Sequence, residues 1–301
     1  MKPELLVLAA GMGTRYGGMK QIDPVGPSGE LIIDYSLFDA ARAGFGKVIF
    51  VIQADLEGAF REHFSGTTKL QIEYVHQTLT DLPETCTLPA GRHKPWGTAH
   101  AVWSARKVIT EPFAVINADD FYGATSYQAL ANFLTTEREV LTGKLLSLVA
   151  FQLGNTLSRH GSVARGVCAV DQHSFLQSVT ERHNIEAVPD SAVRYQDEGG
   201  AWQALTGKER VSMNMWGLAP AIFNLIEKRL TQFIAERSQE LEAELYLPSV
   251  VNDLVTDGIC KVLALTTDEK WFGMTYSEDR TDVADSIKRL IREGRYPQAL
   301  W

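Results

Sequence analysis

Between Gly11 and Lys20 the chain reads Gly11-Met12-Gly13-Thr14-Arg15-Tyr16-Gly17-Gly18-Met19-Lys20, and these residue types suit one task, the holding of a phosphate chain. Glycines let backbone N–H groups approach anionic oxygens closely. Arg15 and Lys20 add positive charge, and an arginine can engage two phosphate oxygens at once. The spacing departs from three familiar phosphate loops. A Walker loop needs Lys directly after its last Gly and then Ser or Thr, whereas here Met19 intervenes and Gln21 follows Lys20. A dinucleotide fingerprint needs a third glycine three residues after the second. Tyr16 stands there, and no acid ends a second strand at the expected distance. The kinase glycine loop fails at the same place.

Two more clusters carry chemistry. Asn117-Ala118-Asp119-Asp120-Phe121-Tyr122-Gly123 follows an apolar run, so its acids are expected at the carboxyl end of a buried strand, where α/β sheets bind ligands. Carboxylate oxygens there suit Mg²⁺ bridging to phosphates. Val75-His76-Gln77 ends another short strand, and the Gln77 amide carries one donor and one acceptor side, although an isolated glutamine at a strand end is usually only solvated.

The elements that must position these residues follow from periodicity. Leu5–Ala10, Val48–Ile52, Ile72–Val75, Phe113–Ala118 and Leu145–Phe151 read as strands, the longer ones apolar throughout and so buried on both faces. Between them, helices are predicted from a cap at Asp34 to Gly44, over Asp55–Phe64, Thr98–Ile109 and Tyr127–Arg138. This alternation predicts an α/β fold, a mostly parallel mixed sheet flanked by helices, in a single domain whose nucleotide-binding half covers about 1–123. Further on, two short strands are expected around Asp171–Ser174, a polar excursion over Asn184–Arg210, a strand at Val211–Leu218, a helix from Pro220, a strand at Val262–Leu265 and an amphipathic helix over Thr281–Glu293. Thr78–Lys94 reads as an insertion, either a lid or a surface loop.

The bulk numbers exclude whole classes. With 301 residues, 45% hydrophobic and 22% charged, the chain has ample material for a core. A net charge of −8 argues against a protein that coats nucleic acid. Cys86, Cys168 and Cys260 are odd in number and far apart, which points to a reducing, cytoplasmic setting. No apolar stretch approaches a membrane span of roughly 20 residues.

Leu8-Ala9-Ala10-Gly11-Met12-Gly13-Thr14-Arg15, followed by Lys20, resembles the signature of the sugar-1-phosphate nucleotidyltransferases, whose fold is GT-A-like. The resemblance implies that Leu8, Ala10, Gly11 and Gly13 belong to the nucleotide site and that Arg15 and Lys20 stabilise the reacting phosphoryl group and the pyrophosphate. Gln77 falls where that family reads the base. Pro95-Trp96-Gly97-Thr98-Ala99-His100-Ala101 is similar to its P-x-G-T-x-x-A segment, which implies that Gly97 lies against the base and that Thr98 caps the next helix. Asp119 matches the metal ligand, and Asp120 a position that varies. Ser178-Val179-Thr180-Glu181-Arg182 is similar to V-x-E-K, with Glu181 toward sugar hydroxyls and Arg182 replacing the phosphate-binding lysine. Asn214 matches a sugar-contacting Asn, and Arg165-Gly166 lies where relatives place a glycine near the sugar. The family's second metal aspartate aligns with Gly273, which leaves Asp279 as the nearest substitute.

The implied reaction joins a nucleoside triphosphate, UTP or dTTP, to a sugar 1-phosphate with Mg²⁺ as cofactor. A cytidylyltransferase of the same fold acting on a phosphorylated alcohol, and a non-catalytic relative that binds sugar nucleotides, are the alternatives. The expected partners are small molecules rather than nucleic acid or membrane, and association into a homo-oligomer, common in relatives, is left open.

Overall fold

The computed structural model describes residues 2–11, 23–66, 69–158, 161–188, 192–197, 199–274 and 279–301. The chain opens with β1 (Glu4–Leu8), α1 (Ile32–Ala43), β2 (Lys47–Ile52), α2 (Glu57–Phe64) and β3 (Gln71–His76). There follow α3 (Thr98–Ser104), β4 (Phe113–Asn117), β5 (Asp120–Phe121), α4 (Ala124–Thr136) and β6 (Leu145–Gln152). Antiparallel strands dominate next, as β7 (Val163–Val170), β8 (Leu176–Val188), β9 (Ala192–Gln196), β10 (Trp202–Leu205) and β11 (Arg210–Leu218). The chain closes with α5 (Ile222–Arg237), α6 (Leu247–Thr256), β12 (Lys261–Thr266), β13 (Phe272–Gly273) and α7 (Asp279–Arg292).

The strands form the expected mixed sheet, in the order β10-β9-β8-β7-β11-β4-β1-β2-β3, with β6 on β11 and β12 on β6. β3, β2, β1 and β4 are mutually parallel, as are β6 and β12. Alternation explains why the parallel strands are apolar throughout. Leu5, Val7, Phe50 and Ile116 pack with α1, α2 and α4 on one face. Leu6, Val51, Phe113 and Val115 pack with α3, α5 and α6 on the other.

The chain runs from β1 outward through β2 to β3, then crosses back to β4 on the opposite side of β1. The carboxyl ends of β1 and β4 therefore flank the point where strand order reverses, the usual ligand crevice of an open α/β sheet. Ala9 N–H donates to Val51 O at 2.8 Å, and Ala118 N–H to Leu8 O at 3.0 Å, so both loops leave the sheet from fixed positions.

A second device shapes the site. One edge of β11 follows β6 along its length, while the other changes partner. Val211 and Ser212 pair with Val167 and Gly166 of β7, whereas Trp216 to Leu218 pair with β4. Between Ser212 and Trp216 the strand bulges, four steps on β11 spanning two on β6. The bulge holds Asn214 at φ 61°, a left-handed conformation that asparagine tolerates better than most residues. The sheet forks there, with β4 on one prong and β7 on the other.

Several expectations need correction. Asp34 is not the residue before α1 but the third residue within it, and its Oδ2 reaches back to accept the Leu31 N–H at 2.7 Å. The cap that closes this helix is Gly44, at φ 96°, as expected. Helix α3 ends at Ser104 rather than Ile109. Most of the polar stretch 184–210 is strand: β8 runs on to Val188, and β9 and β10 continue it as an antiparallel meander. Its polar faces are the solvent side of a half-exposed sheet, a pattern that reads as loop when no apolar alternation marks it.

The C-terminal segment is fastened to α1. Arg295 spans both Glu269 oxygens at 2.6 Å, and Tyr296 OH donates to Asp39 Oδ2 at 2.5 Å. Burial pushes the Asp39 carboxyl up to about 7, only partly offset by the Tyr296 hydrogen bond and by Arg42 and Arg295, while Glu269 adds to the rise. The native protein therefore keeps this proton across a pH range in which the unfolded chain has lost it. The contribution of Asp39 to stability is full below about pH 4 and falls away as pH rises through about pH 7. Asp39→Asn should abolish that slope, worth up to about 4 kcal/mol, because an amide oxygen still accepts from Tyr296. Urea unfolding of both proteins between pH 4 and pH 8 checks this, and parallel curves would refute it.

Candidate functional site

Gly11 follows β1 at the reversal point and is exposed, while Ala10 is buried with its carbonyl accepting from Gln53 Nε2 at 2.9 Å. Leu8 is the last residue of β1. Gly13, Arg15 and Lys20 lie outside the described residues. The loop's departure point is thus set by β1, next to the carboxyl end of β4.

That end of β4 carries a chain of hydrogen bonds into the fork. Trp216 Nε1–H donates to Asn214 Oδ1 at 2.9 Å. Asn214 Nδ2–H donates to Asn117 Oδ1 at 2.7 Å. Asn117 Nδ2–H donates to Asp120 Oδ2 at 2.8 Å, and Tyr122 OH lies 3.1 Å from the same oxygen. The Tyr122 hydroxyl, which burial holds far above its ordinary titration, also accepts the Asn117 N–H at 3.0 Å. Asp120 is accordingly a buried, hydrogen-bonded carboxylate, while its neighbour Asp119 is only half-buried. The structure therefore brings Asn214 to Asn117 at the end of β4 and, through it, to Asp120 of β5. It also adds Asn117, Tyr122 and Trp216, whose parts depend on the bulge in β11 and have no signature in the sequence.

The cleft beyond the fork measures about 780 Å³ and is lined by Arg165, Glu181, Lys270, Trp271, Gly273 and Asp279 among others. Partial burial raises the Glu181 carboxyl, opposed by the His183 and Arg165 charges. Arg165 is the cation most firmly built into this cleft. Its guanidinium donates to Thr156 O at 2.5 Å and Ala164 O at 2.8 Å, and lies 4.7 Å over the Trp271 ring. Burial brings it down to about 10, with Asp120 and Glu181 opposing the shift. Arg182 is placed otherwise. It stacks 4.8 Å over Tyr195 and is not among the residues that line the cleft. Asp279 is buried at the first position of α7, on the cleft wall that also holds Gly273.

At the outer parallel strands, Gln77 follows β3 with its N–H on Ile52 O at 3.1 Å. Its side-chain Nε2 donates to Gly97 O at 3.1 Å and faces His100 Nδ1 at 3.0 Å. Gly97 adopts φ 99°, and a Cβ there would sit 2.5 Å from Leu245 O. The face bared by this glycine is thus occupied by the Leu245 backbone, whose carbonyl accepts the Ala99 N–H at 3.0 Å. Thr98 is the first residue of α3 rather than its cap, and its hydroxyl instead accepts the first N–H of α6, from Leu247, at 2.9 Å. The insertion at 78–94 is fastened at its base. Arg92 donates to Ala243 O at 2.6 Å and stacks 3.6 Å over Trp96, whose Nε1–H donates to Leu79 O at 3.1 Å.

Comparisons with known proteins agree with this geometry. Residues 5–149 match the sequence profile of the Nucleotidyl transferase family. No curated protein matches the sequence. Among solved structures, the inositol-1-phosphate CTP transferase from T. maritima superposes with a TM-score of 0.62 at 12% identity, over 95% of this chain and 96% of that one. A UDP-glucose pyrophosphorylase complexed with UDP-glucose gives a TM-score of 0.58 at 16% identity, over 96% and 99%. The two structures share the fold of the whole described chain, and the profile covers the strands and loops on which the glycine-rich segment, Gln77 and Asp119 sit. The segment 5–149 thus matches the nucleotidyl transferase family, and the chain is a nucleotidyltransferase enzyme.

Proposed function

We propose that the enzyme joins a nucleoside triphosphate, UTP or dTTP, to a sugar 1-phosphate, giving the nucleoside diphosphate sugar and pyrophosphate. The observation that carries this reading is the adjacency of Gly11 and the Asn117–Asp120 segment at the strand reversal, with Gln77 two strands away. Neighbouring strands lie about 4.8 Å apart, so β1 and β3 are separated by roughly 10 Å, the span of a nucleoside with its base at Gln77 and its phosphates at the glycine-rich segment. The cleft with Glu181 and Arg165 opens on the other side of β4 and suits a hydroxylated, anionic acceptor.

In this reaction an acceptor phosphate oxygen attacks the α-phosphorus, the bond to the α,β-bridging oxygen breaks, and pyrophosphate departs with that oxygen. The attacking oxygen is already anionic, so no general base is needed. Rate then comes from positioning and from charge neutralisation. Arg15 and Lys20 supply fixed positive charge on the triphosphate, and Asp119 is the residue that would hold Mg²⁺. The donors at the end of β4 are carboxylate oxygens, which fits a hard cation that takes one or two protein ligands and completes its shell with phosphates and water. Mg²⁺ bound there would neutralise charge on the phosphates.

The place of the second acid has a steric answer. Gly273 pairs with Asp120 across β13 and β5, and a Cβ on it would lie 2.5 Å from Asp120 Oδ1 and 3.0 Å from Asp119 O. The Asp120 side chain fills the space that an aspartate at 273 would need. Asp279, on the same cleft wall, is the candidate for the second carboxylate.

A cytidylyltransferase acting on a phosphorylated alcohol is the second reading. It is favoured by the Gln77 carbonyl, which can equally accept the amino group of cytosine, and by the likeness to a CTP transferase. Pyrophosphate release measured with UTP, dTTP, CTP, ATP and GTP against a panel of sugar 1-phosphates and phosphorylated alcohols separates the two. Release only with CTP and an alcohol phosphate would replace the first reading by the second.

Two variants test the assignments. Lys20→Ala should cut pyrophosphate release at least about 100-fold, the scale of one lost charge-stabilising contact, with the melting temperature nearly unchanged. A folded variant with undiminished release would remove Lys20 from the mechanism. Gly273→Asp should lower stability by about 1–3 kcal/mol, the usual cost of overpacking, and reduce turnover. A variant as stable as the parent, with a lower Mg²⁺ requirement, would show that the site has room for the acid.

A further inference from the structure

The Gln77 side chain is not free to turn. Gly97 O can only accept, so the amide nitrogen of Gln77 must face it whichever way the amide is first drawn. The second amide hydrogen meets His100 Nδ1 at 3.0 Å. On the far side of that ring, His100 Nε2 lies 2.7 Å from Asp81 O, again an acceptor only, which places the single ring proton on Nε2 and leaves Nδ1 bare. His100 is fully buried, and burial holds it below the usual histidine range, against the pull of Asp81. The Asp81 segment is itself clamped. Its carboxylate takes both arms of Arg106, at 2.7 and 2.8 Å, and Arg106 lies 3.4 Å over Trp103. Both amide hydrogens of Gln77 are thus committed, and its Oε1 is the atom left to meet a ligand.

From this arrangement we propose that His100 is a positioning residue that locks the Gln77 amide with its carbonyl outward, so that the enzyme tells uracil-type from cytosine-type nucleotides by a fixed acceptor. The inference rests on the reading of Gln77 as the base-facing residue. A free amide can rotate and satisfy either pyrimidine. A locked carbonyl cannot, because the two bases present opposite groups at N3 and at C4. Uracil has N–H at N3 and a carbonyl at C4, whereas cytosine has a bare N3 and an amino group at C4. Whichever position Oε1 meets, one base donates to it and the other sets a lone pair against it. An unpaired contact of that kind costs about 1–3 kcal/mol, or roughly tenfold or more in affinity.

The test is calorimetric titration of UTP and of CTP into the wild type, His100→Leu and His100→Asn, with Mg²⁺ present. The wild type should prefer one nucleotide by about tenfold or more. His100→Leu removes one of the two acceptors that hold the amide, leaves Gly97 O as its single anchor and should lower the ratio severalfold. His100→Asn offers Oδ1 where Nδ1 stood and should restore most of the preference, a rescue that a purely packing role for the ring would not give. A folded Leu variant that keeps the wild-type ratio overturns the lock. If the Leu variant does not fold, ¹⁵N spectra of wild-type His100 decide instead: a protonated Nε2 and bare Nδ1 at neutral pH are required, and a protonated Nδ1 overturns the proposal. Equal binding of UTP and CTP by the wild type defeats the lock and leaves the nucleotide site standing, whereas binding of neither defeats the underlying reading of the site.

Discussion

The site depends on a sheet that cannot remain continuous. β6 takes one edge of β11, and both β4 and β7 use the other, one after the other. An antiparallel strand can make that change only by breaking register, and the bulge between Ser212 and Trp216 is the break. The two prongs spread from there, leaving the end of β4 open toward the cleft. Asn214 suits the position for two separate reasons. Its backbone accepts the left-handed conformation, and its short amide bridges Trp216 to Asn117. Glycine would satisfy the first requirement and lose the bridge, while a larger apolar residue would fail both. The same amide chain then reaches Asp120 through Asn117, so the backbone geometry of one strand orients a carboxylate on another.

The two acids that follow β4 divide the work by burial. Asp120 is fixed by Asn117 and Tyr122 and occupies the space beside Gly273. Asp119, one residue earlier, is half-buried and is the carboxylate that the proposed reaction uses to hold the metal. An alignment that sees Gly273 as a lost metal aspartate misses that the glycine is required by its neighbour. β13 comes within hydrogen-bonding distance of β5, with Met274 N–H on Asp119 O at 3.0 Å, only because residue 273 has no side chain. Any second carboxylate has to approach from another element, and α7 brings Asp279 to the same cleft.

The first half of the fold is legible in the sequence because β1, β2 and β4 are buried on both faces, and an apolar run admits few other readings. The acids after β4 and the glutamine after β3 follow, since their value comes from standing at strand ends. The second half resists for a physical reason. β8, β9 and β10 form a meander with much of its surface in water, so residues such as Glu186, Arg194 and Gln196 are strand residues that carry the composition of a loop. Helix α6 was hidden in the same way, its start set by a hydroxyl far off in the sequence, that of Thr98. Arg165 is noticed in the sequence only as the neighbour of Gly166, because what marks it is the tertiary contact of its guanidinium with Thr156 and Trp271.

His100 shows the limit most clearly. From sequence it is a histidine among alanines and valines on a helix, and burial there argues for packing rather than chemistry. That argument is correct as far as it goes: the ring is fully buried, and burial holds it below the usual histidine range. Yet a buried imidazole must still satisfy two nitrogens, and the way it does so reaches the surface. Nε2 spends its proton on Asp81 O, which obliges Nδ1 to accept, which in turn obliges Gln77 to donate. Each step follows from the hydrogen-bond inventory of the groups involved rather than from any property of the ligand. A residue that touches no substrate thereby fixes which polar atom the substrate finds.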